Sequence, residues 1–183
     1  MIVLSGASAS GKTEVAKELA KTFGITKIIT TTTRPMRVNE VNGRDYFFVT
    51  IEQFKKMIEE DKFVEFTNYN NNFYGSTKDQ IQDNRCVVID PSGLRSYMAL
   101  NDPRIVTFFL ESGEEIRYKR MLLRGDKVED AKVRIINDRV IFRKEVTIDV
   151  DHIIDSENAT IEYIAKEIYE LYKKTLKERQ LEK

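Results

Sequence analysis

Eight consecutive residues near the start of the sequence, Gly6-Ala7-Ser8-Ala9-Ser10-Gly11-Lys12-Thr13, have types and spacing suited to chemistry. They fit the pattern G-x-x-x-x-G-K-[ST], in which two glycines let backbone N–H groups converge on phosphate oxygens. A helix opening at this point adds the partial positive charge of its N-terminus. Lys12 can neutralise β- and γ-phosphates, and the Thr13 hydroxyl can coordinate magnesium. The flanks agree with that use. Apolar Ile2–Ser5 reads as a strand running in, and Val15, Ala16, Leu19, Ala20 and Phe23 share one face of a helix running out. A Gly/Ser-rich turn with a chance lysine would need neither flank. The loop therefore points to a nucleoside triphosphate and leaves the phosphoryl acceptor unnamed.

A second anion site is suggested by Thr30-Thr31-Thr32-Thr33-Arg34-Pro35-Met36-Arg37. Two arginines around a rigid proline can aim planar, bidentate donors at one phosphate. They could equally be solvated surface residues, and this fragment leaves both readings open. Further segments follow in order: Glu40 to Val49 with Gly43, Asp45 and Tyr46; Phe63-Val64-Glu65-Phe66; Phe73-Tyr74-Gly75-Ser76; and Asp90-Pro91-Ser92-Gly93. In this order and spacing the sequence closely resembles the guanylate kinase family, with its T-T-R-x-x-R, G-E-x-x-G-x-D-Y-x-F, F-x-E and Y-G-S/T segments. Met36 stands where most members have proline, and Asn39 where glycine is usual.

The resemblance implies that Arg34, Arg37, Tyr46 and Tyr74 hold the phosphate of GMP. It further implies that Glu65, Ser76 and Asp90 face guanine, with Thr30 nearby. The chemistry of guanine supports that assignment. A carboxylate such as Glu65 can accept from N1–H and the exocyclic amine together, while the Ser76 hydroxyl can donate to O6. Adenine would leave that carboxylate desolvated without a donor, a mismatch that can discriminate by ~10⁴-fold. Ordinary aromatic packing for the tyrosines and a surface acid for Glu65 are the structural alternatives.

The implied reaction moves the γ-phosphoryl of ATP to GMP or dGMP, with Mg²⁺ on Thr13 and Asp90 as a further candidate ligand. The acceptor brings its own ionised oxygen, so no catalytic base is needed, and His152 reads as structural. Arg120-Met-Leu-Leu-Arg124-Gly125 resembles the start of the family's lid, and Arg134 its later arginine. With Lys12 and Arg34, these three arginines are the catalytic candidates; each could also be a surface helix residue. The interval from Arg124 to Arg134 is one residue short of the usual length, and Asp126 replaces a common threonine. Val88 stands where the family usually has an aspartate, and Asp155 near its adenine-side asparagine. Two other readings remain: a ribose 1,5-bisphosphate kinase on the same scaffold, or a non-catalytic module that binds phosphopeptides through the old clamp.

The elements that must position these groups alternate. Apolar strands are expected at Ile2–Ser5, Ile28–Thr33, Tyr46–Val49, Phe63–Tyr69, Cys86–Asp90, Ile105–Leu110 and His152–Asp155. Amphipathic helices lie between several of them, opened by capping-box pairs Thr50/Gln53 and Ser112/Glu115. A last helix carries Ile161, Ile164, Ile168, Leu171 and Tyr172 on one stripe. The rhythm predicts an α/β fold of the P-loop NTPase type, with a parallel central sheet flanked by helices. One guanylate kinase-like domain over residues 1–183 is expected. Its core would be about 1–33 and 77–183, its small β-rich GMP-binding lobe about 34–76, with a turn at Asn70–Asn72, and its helical lid about 124–144.

Among 183 residues, 30 basic and 30 acidic side chains cancel, which argues against a nucleic-acid or membrane binder. No stretch approaches the ~20 apolar residues of a membrane helix, and no signal-like segment opens the sequence. A cytoplasmic monomer or homodimer acting on small nucleotides is expected. The single cysteine, Cys86, sits in an apolar run and reads as a buried reduced thiol.

Overall fold

Met1 to Leu4 are apolar without alternation, and all four are completely buried, as a strand covered on both faces requires. The computed structural model, which describes residues 1–142 and 149–179, makes Ile2–Ser5 the central strand β1. It pairs in parallel with β7 (Arg85–Val88) on one side and β8 (Val106–Glu111) on the other. With β2 (Thr26–Lys27) and β9 (His152–Asp155), these strands form a parallel sheet in the order β2-β7-β1-β8-β9.

Side-chain alternation along β1 divides the core. Ile2 and Leu4 meet Val15 and Leu19 of α1 (Lys12–Phe23) and Ile164, Ile168 and Tyr172 of α6 (Ile161–Glu178). Phe23 and Tyr169 stack at 4.3 Å where those two helices touch. Met1 and Val3 face the opposite way, onto Leu94 and Tyr97 of α3 (Pro91–Ala99).

The expected strand Ile28–Thr33 is shortened to Thr31–Thr32, which form β3 in a second sheet, while Thr26–Lys27, just before it, belong to the parallel sheet. Buried Gln80 makes the break possible, because its amide bonds both the N–H and the C=O of Ile29 at 2.7 Å. Those groups are thereby satisfied without a neighbouring strand.

The second sheet has the order β4-β3-β6-β5. It comprises β4 (Phe47–Phe48), β3, β6 (Asn72–Thr77) and β5 (Phe63–Tyr69). Asn70 and Asn71 take positive φ angles of 48° and 59° and close the β5–β6 hairpin in two residues, the arrangement that matches strand twist. Helix α2 (Ile51–Glu59) opens with the expected Thr50/Gln53 box. It stacks Phe54 on Phe63 and Phe73.

Helices α4 (Glu114–Leu123) and α5 (Val128–Ile141) form a separate pair around Met121, Ala131 and Ile135. The last two positions of the expected lid lie outside the described residues. The Ser112/Glu115 capping box does not form. Gly113 is the N-cap residue, and the buried Ser112 Oγ has no hydrogen-bond partner. The Gly113 N–H instead donates to Glu157 Oε2 at 3.0 Å, and the Ser112 carbonyl accepts from Arg117 Nε. These long-range bonds displace the helix start by one residue. Among the described residues no helix is long and apolar enough to cross a membrane.

Candidate active site

The turn between β1 and α1 is shaped by two close approaches. Gly6 has φ +148°, and a Cβ there would lie 2.5 Å from the Leu110 carbonyl oxygen. Gly11 is the helix N-cap at φ 97°. Ala9 also adopts the left-handed region, at φ 61°, a strain of about 1 kcal/mol that the loop absorbs. Lys12 folds over this turn, and its Nζ donates to the carbonyls of Gly6 and Ala7 at 2.6 and 2.8 Å. Burial lowers its pKa to about 8, while the Asp138 carboxylate acts in the opposite direction. Thr13 is exposed in the first turn of α1.

Two residues that the sequence reading passed over hold the loop from outside. Asp138 on α5 accepts from the Ser8 N–H at 2.9 Å, from the Ser8 hydroxyl at 3.2 Å and from Arg117 at 2.6 Å. Arg117 on α4 also donates to the Ser8 carbonyl at 3.3 Å. The ion pair is buried, with side chains 6% and 7% exposed. A signal was present in the sequence: Ala131, Ile135 and Asp138 share the buried stripe of α5, as Arg117 and Met121 do on α4. A charge on such a stripe needs a buried partner.

On the second sheet, the structure brings Arg34, Tyr46 and Tyr74 together. The Arg34 guanidinium lies 5.4 Å from the Tyr46 ring centre, and the two tyrosine rings meet edge-on at 6.2 Å. Arg34 donates to Glu40 Oε1 at 2.7 Å, and the other Glu40 oxygen accepts the Arg37 N–H at 2.7 Å. This pairing raises the Arg34 pKa and lowers that of Glu40. The Arg37 side chain is in an exposed loop.

Tyr74 and Ser76 lie two apart on β6 and therefore share a face, and Glu65 is opposite Ser76. The Ser76 hydroxyl donates to Glu65 Oε1 at 2.6 Å. Burial raises the Glu65 pKa, and the like charge of Asp90 adds to the rise. Asp90 itself caps α3, accepting from Gly93 N–H at 2.8 Å. Thr30 is half-buried, its carbonyl accepting from Phe47 N–H at 3.0 Å.

A cleft of about 550 Å³ beside the loop is lined by Gly11, Lys12, Thr13, Arg120, Arg124 and Thr160, among others. Arg120 bridges the Ala9 carbonyl to those of Ser156 and Glu157. Arg134 is not among the cleft's lining residues. It pairs with Asp126 at 3.6 Å, and Arg124 holds the same carboxylate with two bonds of 2.9 and 2.6 Å. One acid thus collects two of the three lid arginines.

The remaining sequence candidates have local partners. Val88 packs against the α1 side of the core. Asp155 accepts the Glu157 N–H at 2.8 Å in its own turn. His152 is 2.8 Å from Thr175 Oγ1 and stacks on Phe108, and burial lowers its pKa. Cys86 is a buried free thiol whose pKa burial pushes up to about 11.

The glycine loop follows β1, and Asp90 follows β7, its hydrogen-bonded neighbour with Leu4 opposite Val88. Both groups therefore occur at the carboxyl edge of one parallel sheet, where open α/β sheets bind their ligands. A parallel sheet whose first strand enters a glycine turn carrying Lys12 and then a helix defines a P-loop nucleotide-binding protein. Solved structures agree on the fold. The crystal structure of guanylate kinase from Anaplasma phagocytophilum matches at TM-score 0.56 and 24% identity, covering 95% of this chain and 84% of that one. Shikimate kinase from Bacteroides thetaiotaomicron matches at TM-score 0.51 and 18% identity, covering 94% of this chain and 97% of that one.

The family model described as Guanylate kinase matches residues 1–175, and the chain belongs to the guanylate kinase family. Relatives include the guanylate kinase of Mycoplasma mobile, 35% identical over 74% of this chain and 75% of that protein. The guanylate kinase of Wolbachia pipientis wMel is 29% identical over 98% of this chain and 94% of its own length.

Proposed function

We propose that this protein transfers the γ-phosphoryl group of ATP to GMP or dGMP, giving ADP and a guanosine diphosphate. One observation carries the acceptor assignment. Glu65, opposite Ser76 and within reach of the Asp90 charge, forms an acceptor-rich edge beside an arginine–tyrosine cluster. Two carboxylates with a serine match a base edge that offers an N–H and an amine next to an oxo group. On this reading the second sheet and its loop, about 34–76, form the acceptor lobe, residues 1–33 and 77–183 the core, and α4–α5 the lid.

Each step is assigned to residues of this chain. The loop's N–H groups and Lys12 hold the donor's phosphates, with Arg120 and Arg124 along the same cleft. Arg34, Arg37, Tyr46 and Tyr74 hold the acceptor phosphate, whose own oxygen is the nucleophile. Catalysis is then positioning and charge cancellation, without a protein base. Arg124 and Arg134 exchange the Asp126 carboxylate for phosphoryl oxygens as the lid closes, which also excludes water.

Magnesium fits this site in one particular way. The described residues contain no cluster of three or more His, Cys, Asp or Glu that could chelate a metal. Thr13 at the helix start, with Asp90 following the neighbouring strand β7 at the same edge of the sheet, suits a cation bound mainly through substrate phosphates, the mode magnesium favours. When bound, it would supply neutralisation of charge on the donor's phosphates.

An ADP-release assay across GMP, dGMP, AMP, UMP and ribose 1,5-bisphosphate tests the assignment. Guanine nucleotides should be preferred by at least ~10²-fold. Equal use of the acceptors, or preference for the sugar bisphosphate, overturns it. Thermal stabilisation by ATP should accompany activity, and its absence would favour a non-catalytic binding module.

A further inference from the structure

Glu40 is an acid placed inside the cluster that is to hold an anion, and the mechanism above gives it no task. Its side chain is 19% exposed, and that of Arg34 is 13% exposed. One carboxylate oxygen accepts from Arg34 at 2.7 Å, and the other accepts the Arg37 N–H at 2.7 Å. A carboxylate in this place has two readings. It could occupy the position of the acceptor's phosphate and leave when that group arrives, or it could be a brace that stays.

The main chain favours the brace. Residues 37–40 make a tight turn, in which the Glu40 N–H donates to the Arg37 carbonyl at 3.2 Å. Asn39 supplies the left-handed corner at φ 75°, a conformation asparagine tolerates better than most residues. The Glu40 side chain reaches back over that turn to the Arg37 N–H, so the acid is tied to its own loop at both ends. A stand-in for phosphate would be held by the guanidinium alone.

Arg34 is gripped without being used up. Of the five N–H groups on a guanidinium, one donates to Glu40 and one to the Pro35 carbonyl, at 2.7 and 2.8 Å. Among the described residues the rest of the fork is left for a ligand. The rings of Tyr46 and Phe48, with centres 5.4 and 5.6 Å from the guanidinium carbon, limit its swing.

We infer that Glu40 is a positioning residue for the acceptor phosphate, joining the Arg34 guanidinium to the Arg37 turn as one preorganised clamp. This deepens the GMP reading and rests on it. A long side chain whose rotamers are already fixed loses less freedom when its ligand binds. The carboxylate also offsets the repulsion between two arginine charges on one short loop. Its bond with Arg34 lowers the Glu40 pKa, so the brace keeps its charge at neutral pH.

Glu40→Gln tests this, because the amide keeps the shape, accepts through one oxygen only and turns a donor toward the other partner. KM for GMP should rise about tenfold, while KM for ATP is unchanged. Competitive inhibition by guanosine, which carries the base without the phosphate, should also be unchanged. Wild-type protein that ignores GMP would defeat the functional reading itself, whatever the variant does. Active wild type with an unchanged KM for GMP in the variant would overturn the inference. A lower KM would overturn it too, marking Glu40 as a stand-in that competes with phosphate. Equal weakening of GMP and guanosine would also overturn it, since Glu40 would then only support the fold of the lobe.

Discussion

Replacing Asp138 by alanine should be unusually damaging for a residue outside the phosphate loop. The change leaves the Arg117 guanidinium buried, with its carboxylate gone and only carbonyls of Ser8 and Ser112 as partners. It also strips the acceptor from the Ser8 N–H and hydroxyl. Breaking a buried ion pair from one side costs ~3–5 kcal/mol. In a domain of this size each kcal/mol lowers Tm by about 2–4 °C, so a drop of roughly 6–20 °C is expected. Equilibrium urea unfolding and a thermal scan measure it. Two controls isolate the cause. Glu114→Ala removes an exposed bridge to Arg139, whose side chains are 42% and 63% exposed, and should cost too little to resolve. The double variant Arg117→Leu/Asp138→Ala removes both charges and should recover much of the loss, because the stranded guanidinium is gone. An Asp138→Ala loss below ~1 kcal/mol, or a double variant that simply sums the single effects, would refute the account of a buried charge needing its partner.

Lys12→Ala should abolish turnover while leaving GMP affinity within a few-fold; calorimetric titration with GMP checks the second half, and a lost GMP signal counts against separate cradles. Burial lowers the Lys12 pKa to about 8, so its amine loses charge as pH rises through that value in free protein. The ratio kcat/KM for ATP should therefore fall above pH 8, since it reports groups of the free enzyme. A profile flat to pH ~10 would contradict this. Glu65→Gln places an amide donor against the donor edge of guanine and should lower kcat/KM for GMP by roughly 10³-fold, with AMP little changed. A loss under about tenfold would remove Glu65 from the base site.

The amino-acid sequence alone determined the features whose causes are local. Gly6 to Thr13 between an apolar strand and an amphipathic helix, the Thr50/Gln53 cap, the turn at Asn70–Asn72 and the apolar run Ile2–Leu4 of β1 each depend on neighbours a few residues away. Backbone sterics and short-range hydrogen bonds decide them. The order of the arginine, tyrosine and glutamate segments was legible for the same reason, as a one-dimensional pattern. Tertiary structure decided the rest. Asp138 reaches Ser8 across 130 residues of sequence. Gln80 satisfies the backbone of Ile29, 51 positions away, between two strands, and Glu157 moves a helix start 44 positions away. Such partners are chosen by which buried polar group would otherwise be left unpaired, a condition that exists only after the layers have closed.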